Sequence, residues 1–446
     1  MIAVDTKSHK IAIIGGGLVG ALAACFFAKR GHDVRLYEYR GDIRVAEEVR
    51  GKSINLALSA RGRAALREVN LEDKLIQEHG IPMRARMIHG RDHSLTEIPY
   101  DPVNKNWWQI FAESKKLISA AEKYSNVKLF FNKKLVNADL ENGSMIFVDR
   151  KTMKEEEASA DLIVGADGAF STVRKIMTKR PLYNFNQTYI EHGYMELCIP
   201  AKGDGKFAMA KNNLHIWPRG EFMMIALPNQ DGSYTVTLFA PFKTFDGLKT
   251  REKLIDFFEK QFPDAIPLLG DDKLTKDFFD SKPLPLISIK CQPFHVKKSA
   301  VIIGDAAHAM VPFYGQGMNT GFEDCLILDK LLEEYDSDLS KTLPAFTEQR
   351  CKDAHVICDL AMYNYVEMRD LVNKKSFMIR KYLDTFLYWL LPNTWVPLYN
   401  SVHFSRMPFQ KCTANRAWQE KVRIYFLSSI FFAVIFTILN WQRFVE

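Results

Sequence analysis

No Cys-x-x-Cys pair occurs anywhere in the 446 residues. The seven cysteines (Cys25, Cys198, Cys291, Cys325, Cys351, Cys358 and Cys412) are odd in number and scattered. That excludes a disulfide framework, predicts no metal site, and points to a reducing compartment. The Asn142-Gly143-Ser144 sequon therefore reads as a turn. A dominant charge sign is also lacking. Lys and Arg number 60 against 53 Asp and Glu, a net +7, too weak to argue for nucleic acid. Repeats and low-complexity runs are absent, and 47% hydrophobic with 25% charged residues excludes a disordered or fibrous chain. Met1 to Lys10 carries Asp5, Lys7 and Lys10, so neither a secretory leader nor an Arg-rich presequence is expected. His89, His93 and His215 have no matching Ser, Cys or Asp arrangement, which weighs against hydrolase chemistry.

What is present begins at Lys10-Ile11-Ala12-Ile13-Ile14, a short apolar run that predicts a buried strand. Gly15-x-Gly17-x-x-Gly20 follows, then a helical stretch from Ala21 to Arg30 that Gly31 stops, then a strand at Val34–Tyr37 ending in Glu38. This strand–turn–helix–strand–acid order is the context in which the glycines matter. They let the backbone approach a pyrophosphate at a helix N-terminus, and the acid can accept from ribose hydroxyls. NAD and FAD both fit so far. Two later motifs favour FAD: Gly165-Ala166-Asp167-Gly168 with Ser171, Val173 and Arg174, and Gly304-Asp305-Ala306-Ala307-His308 with Pro312 and Gly315-Gln316-Gly317-Met318-Asn319. A strand-end Asp can hold a ribityl hydroxyl, and a glycine turn can present N–H groups to a flavin ring. His308 reads as structural rather than catalytic. No second Gly-x-Gly-x-x-Gly follows a strand, so no separate nicotinamide domain is visible.

The remaining chain changes character twice. Between Tyr183 and Ile289 alternation of period two predicts a mostly antiparallel sheet inserted into the nucleotide domain. After Gly321 the pattern is helical. Ile424 to Gln442 carries no charge over 19 residues, with Trp418 and Trp441 near its ends. That length predicts a transmembrane helix, and Lys411, Arg416, Lys421 and Arg423 before it predict a cytosolic body. A second apolar stretch, Phe386 to Tyr399, is broken by Pro392, Asn393 and Pro397 and is expected to be buried in the body.

The three motifs together resemble the class A flavoprotein aromatic hydroxylases. Within that class Gly51–Ser59, Ile81–His89, His192–Leu197, His215–Arg219 and Met362–Arg369 resemble the kynurenine-hydroxylating branch. The resemblance implies an α/β fold: a discontinuous Rossmann-like FAD-binding domain (1–75, 101–182 and 290–345), a substrate-domain β-sheet (76–100 and 183–289), a helical region (346–420) and a transmembrane anchor (424–442). It implies FAD as cofactor and NADPH as co-substrate, with L-kynurenine hydroxylated through a flavin hydroperoxide in tryptophan catabolism. Beside Gly15, Gly17 and Gly20, the residues implied to meet FAD are Val19, Tyr37, Glu38, Tyr39, Arg40, Ala57, Leu135, Thr172, Asp305, Gly317, Met318 and Asn319. Arg86, Tyr100, Asn364 and Tyr399 are implied to bind kynurenine, and no side chain is assigned as acid or base. The outer mitochondrial membrane, catalytic part facing the cytosol, is the implied location. One departure stands out. The family carries an Arg in the helix after the Tyr100 strand, whereas Trp107–Lys116 contains none, Lys115 and Lys116 being its only cations. Hydroxylation of another aromatic substrate, or a catalytically impaired flavoprotein tethered to a membrane, are the other readings of the same motifs.

Overall fold

A computed structural model of the chain describes residues 8–45, 56–104, 108–111, 114–370 and 375–445. Gly51 to Asn55, in the first of the motifs shared with the kynurenine branch, lie outside them.

The opening residues form what their pattern dictates. Lys10–Ile14 is a strand with its last four residues buried, and Leu18–Lys29 is a helix burying Gly20 to Ala28. Gly31 ends it at φ +85°, a conformation that favours glycine. Six strands make the first sheet, in the order His295–Val296, Ala300–Ile302, Leu162–Gly165, Lys10–Ile14, Asp33–Tyr37 and Val127–Phe130. All neighbours are parallel except the edge pair His295–Val296 with Ala300–Ile302. A three-stranded antiparallel meander (Lys133–Asp139, Ser144–Asp149, Glu155–Ser159) follows, turning at Gly143 as the sequon reading requires.

The second layer is a seven-stranded sheet: Leu284–Gln292, Asn184–Ile199, Tyr234–Pro241, Met223–Pro228, Asn213–Pro218, Ala85–His89 and Leu95–Pro99. It is antiparallel except where Asn213–Pro218 meets Ala85–His89. Alternation sets its faces. Gly193, Met195, Leu197 and Ile199 are buried in turn while their neighbours are not. Ile81–Met83 does not join this sheet; it pairs with Trp108–Phe111, which also pairs with Leu56–Leu58. Period-two patterning does not reveal four helices within the insertion: Phe242–Gly247, Arg251–Gln261, Ile266–Leu269 and Asp271–Phe279. Leu254 with Phe258, and Leu274 with Phe278, are spaced four apart and close a core on the sheet's outer face.

The other face of the large sheet packs on the long helix Leu339–Arg369. Ile216, Met223 and Phe239 from the sheet meet Ile357, Leu360, Ala361, Tyr365 and Met368, joined by Phe313, Tyr314, Val402 and Phe409. Here the second sheet, the turn Pro312–Tyr314 and the helical region converge.

Two C-terminal expectations need correction. The stretch Phe386–Tyr399 is not buried throughout. The helix Lys375–Leu390 exposes Ile379, Tyr382, Phe386, Trp389 and Leu390, and Leu391 beyond it is also exposed. Helical periodicity gathers these side chains on one face, and no element among the described residues covers it. The predicted span 424–442 lies within one continuous helix, Phe409–Val445. Among the described residues no helix is long and apolar enough to cross a membrane. Many side chains of 427–446 fall outside those described.

Candidate active site

The cofactor side is built by the three turns. At Gly15 φ is +106°, and an added Cβ would lie 2.4 Å from the Ala166 carbonyl oxygen. At Gly20 a Cβ would sit 1.9 Å from the Gly15 oxygen. Both contacts are impossible for a side chain, so the first turn can only be glycine there. Gly17 caps the helix without a side-chain hydrogen bond, and no acid stands in the helix's own first turn. Glu38 is buried. It accepts from the Gly16 N–H at 2.7 Å, from the Arg40 N–H at 2.9 Å and from Arg40 Nε at 2.8 Å. The carboxylate thus pins the turn and retains lone pairs for a ribose.

The second turn is self-capped. Asp167 accepts from the Ser171 hydroxyl and from the Thr172 and Val173 N–H groups at 2.5, 2.6 and 3.2 Å. Burial still raises its carboxyl pKa. Arg174 donates to the Ala306 carbonyl at 2.7 Å, which ties the second motif to the third. In the third, Asp305 follows the buried strand Ala300–Ile302 and opens the short helix Asp305–His308, and the protein packed around it raises its carboxyl above the ordinary range. A carboxyl set this way suits a ligand hydroxyl. Behind it Asp324 accepts from Gly304 N–H at 2.9 Å and from Arg350 Nε at 2.8 Å, and holds His308 at 2.6 Å. Burial alone would raise Asp324, but His308 and Arg350 keep it low. His308 is therefore structural, as its sequence context suggests.

Several implied FAD residues have other duties. The Asn319 side chain is committed to protein: it accepts from Ser59 N–H at 2.8 Å and donates to the Ala57 and Gly315 carbonyls, both at 2.7 Å. With Gly317 and Met318 it offers a ligand the N–H groups of a helix first turn. Tyr37 stacks on Phe130 and Phe147 at 5.0 and 4.3 Å, and Leu135 is buried in the same core. Val19 fills the space that side chains at Gly304 and Gly321 would need. Tyr39 is half exposed beneath Arg150. Lys115 and Lys116 stand in the first turn of Ser114–Glu122, shortly after the strand that pairs with Leu56–Leu58. The residue missed is Gln316. It is 1% exposed, and neither its amide oxygen nor its nitrogen has a partner among the described residues. A buried amide left so is costly unless a ligand satisfies it. Its position between two motif glycines was the available signal. This orphaned amide, the glycine cradle and the raised Asp305 carboxyl all fit a bound dinucleotide such as FAD.

The substrate side lies beyond that turn. Arg86 projects from Ala85–His89, is 7% exposed, and holds its guanidinium 4.5 Å from the Tyr399 ring centroid and 5.5 Å from that of Tyr100. Tyr100 and Tyr399 stack nearly parallel at 5.7 Å. Burial opposes charge on Arg86, but Tyr399, Tyr100 and Glu367 more than offset it and hold the guanidinium charged. Burial pushes the Tyr100 phenol up, so it stays neutral. Asn364 donates to the Phe313 carbonyl at 2.7 Å, and its side-chain oxygen has no partner among the described residues. Arg86, Tyr100 and Tyr399 are thus brought together, whereas Asn364 bonds the turn Pro312–Tyr314, whose Tyr314 ring lies 6.1 Å from that of Tyr399. Two ionisable neighbours went unread. Burial raises the Glu367 carboxyl, and it lowers Lys381 to about 8, with Arg86 adding repulsion. His89, on the Arg86 strand, and His215, on the next, form an inert chain on the other face. His89 bonds Asp264 at 2.6 Å and His215 at 2.9 Å, with no serine or thiol in it.

A family profile described as an FAD binding domain matches residues 8–357. Kynurenine 3-monooxygenase of Anopheles gambiae is 59% identical over 427 residues, 94% of this chain and 87% of that protein. The Sus scrofa enzyme of the same name is 49% identical over 420 residues, 94% and 88% of the two chains. Among solved structures, 2-methyl-3-hydroxypyridine-5-carboxylic acid oxygenase aligns with a TM-score of 0.65 at 22% identity, covering 82% of this chain and 94% of that one. p-Nitrophenol 4-monooxygenase from Pseudomonas putida aligns at 0.66 and 16%, covering 87% and 95%. At such identities these last two speak for the fold alone. The glycine cradle, the orphaned Gln316 and near end-to-end relatives at this identity lead to one assignment: the chain belongs to the kynurenine 3-monooxygenase family of FAD-binding proteins.

Proposed function

We propose that this chain hydroxylates L-kynurenine to 3-hydroxykynurenine in tryptophan catabolism, with NADPH and oxygen consumed and NADP and water released. When bound, FAD supplies the redox chemistry, taking electrons from NADPH and delivering one oxygen atom to the aromatic ring. The protein's part is positioning and water exclusion. Arg86, charged and buried against two tyrosines, receives the substrate carboxylate. Glu367, within electrostatic reach of Arg86, takes the α-ammonium. The free oxygen of Asn364 accepts from a substrate N–H. The neutral phenols of Tyr100 and Tyr399 add hydrogen bonds without charge. The substrate's own ring amine directs reaction to its neighbouring carbon, so no side-chain base is needed.

Arg86 is the observation that carries this reading. Among the described residues no carboxylate is in hydrogen-bond contact with it, and a buried guanidinium so placed awaits an anion. Kynuramine, which lacks the carboxylate, tests it. Its kcat/KM is expected to fall at least about a hundredfold below that of kynurenine, the scale for losing a buried charge pair. Equal use of the two would overturn the carboxylate assignment.

The C-terminal helix is proposed as a membrane attachment, with the outer mitochondrial membrane as its location and the body on the cytosolic side. Its charge-free run, the preceding basic cluster, and the exposure of Ile424, Tyr425, Phe426, Phe432 and Phe436 support this.

A further inference from the structure

We propose that His403 is a positioning residue of the substrate site, fixing the plane of Tyr399 and tying it to the main chain that precedes the flavin-side glycine turn. The proposal rests on the assignment of Arg86 and Tyr399 to the substrate.

His403 ends the short helix Leu398–His403 and is fully buried. Its ring lies against the Tyr399 ring with centroids 3.9 Å apart and 28° between planes. It also stacks on Tyr314, at 4.7 Å and 25°. Both ring nitrogens meet carbonyl oxygens: Nδ1 at 2.8 Å from Tyr399 O and Nε2 at 2.9 Å from Tyr314 O. A carbonyl only accepts, so a neutral imidazole can satisfy just one of them. Burial holds His403 down at about 3, so the ring is neutral at physiological pH. The two tautomers are unequal. Tyr399 O lies four residues back along the same short helix, so donation from Nδ1 closes only a local turn. Both acceptors are carbonyls at near-equal distance, so each tautomer has a partner; the Nε2–H form, donating to Tyr314, is the one that joins segments 89 residues apart.

The consequence is geometric. Tyr314 sits in the turn Pro312–Tyr314, immediately before Gly315-Gln316-Gly317. Tyr399 carries one side of the Arg86 pocket. His403 stacks on both rings, and its Nε2–H tautomer donates to the Tyr314 carbonyl. It sets the distance between the flavin-side turn and the anion-binding end of the substrate site. It is not itself a catalytic residue, since Tyr314 and Tyr399 intervene.

The test uses the full-length holoenzyme and three substitutions at one position. His403→Leu removes stacking and donor. His403→Phe keeps a ring without a donor. His403→Gln keeps an N–H where Nε2 stood. The Leu variant is expected to raise KM for kynurenine about tenfold, with kcat within about twofold and bound-flavin absorbance unchanged, the pattern of lost uniform binding. His403→Gln should recover most of that loss and His403→Phe less of it. Wild-type KM in His403→Leu would overturn the proposal. So would equal damage in all three with lost flavin, which marks a general packing site. Tyr399→Phe, measured alongside, separates the two levels: an unchanged KM there would overturn the assignment of Tyr399 to substrate itself, whatever His403 does.

Discussion

In the proposed function Arg86 does the recognising, and its neighbours set the terms. Because the pair it forms with a carboxylate is desolvated, Arg86→Ala is expected to cost about 2–5 kcal/mol in kynurenine binding, while FAD occupancy stays at the wild-type level. Titration of flavin absorbance with and without substrate measures both, and equal losses would make Arg86 structural. Lys381 gives the site a pH dependence. Its proton is held below about 8 and is lost above it. A bound carboxylate would hold that proton more tightly, so affinity is full below pH 8 and declines above. KM for kynurenine should therefore rise between about pH 8 and 10 in the wild type. Lys381→Met should flatten that rise; a profile identical in both would remove Lys381 from the site.

The elements that carry these residues were legible in unequal measure. Gly15 and Gly20 announce themselves because spacing alone, between a strand and a helix, fixes what they do. Replacing Gly20 with valine puts a Cβ at 1.9 Å from the Gly15 oxygen, so purified Gly20→Val protein should be colourless. A yellow variant with normal occupancy would show that the turn does not cradle the cofactor. By contrast, the buried network behind the third motif is invisible in sequence. Arg61 bonds Glu323 at 2.9 and 3.0 Å from a distant part of the chain, and Arg350 reaches Glu323, Asp324 and Asp353. Arg61 also donates to the Val402 and Met407 carbonyls and stacks on Phe409. Its partners are hundreds of residues away, and an isolated Arg in a helix reads as solvated. The exposed face of Lys375–Leu390 was misread for a related reason. Apolar content says that a face wants cover, and not whether a neighbour supplies it. Asn319 enters as a flavin contact through the family resemblance, and only coordinates show its side-chain amide committed to Ala57, Ser59 and Gly315.

At the scale of the whole molecule, the second sheet packs on the helical region, and the C-terminal chain belongs to both that core and the proposed attachment. Val402, Phe409 and Cys412 are in the core beside the long helix, whereas the exposed apolar side chains begin beyond Arg416. Deleting 422–446 should therefore release the protein from membranes and leave flavin bound. A truncated protein that still pellets and resists carbonate extraction would move the attachment elsewhere, to the exposed face of Lys375–Leu390 first. In the proposed function one atom of molecular oxygen is placed on the ring of kynurenine. Incubating the purified holoenzyme with kynurenine, NADPH and oxygen-18 gas, then weighing the product by mass spectrometry, tests it most directly. The expected product is 3-hydroxykynurenine heavier by one labelled oxygen; NADPH consumed with only peroxide formed, or product carrying oxygen from water, would overturn the proposed function.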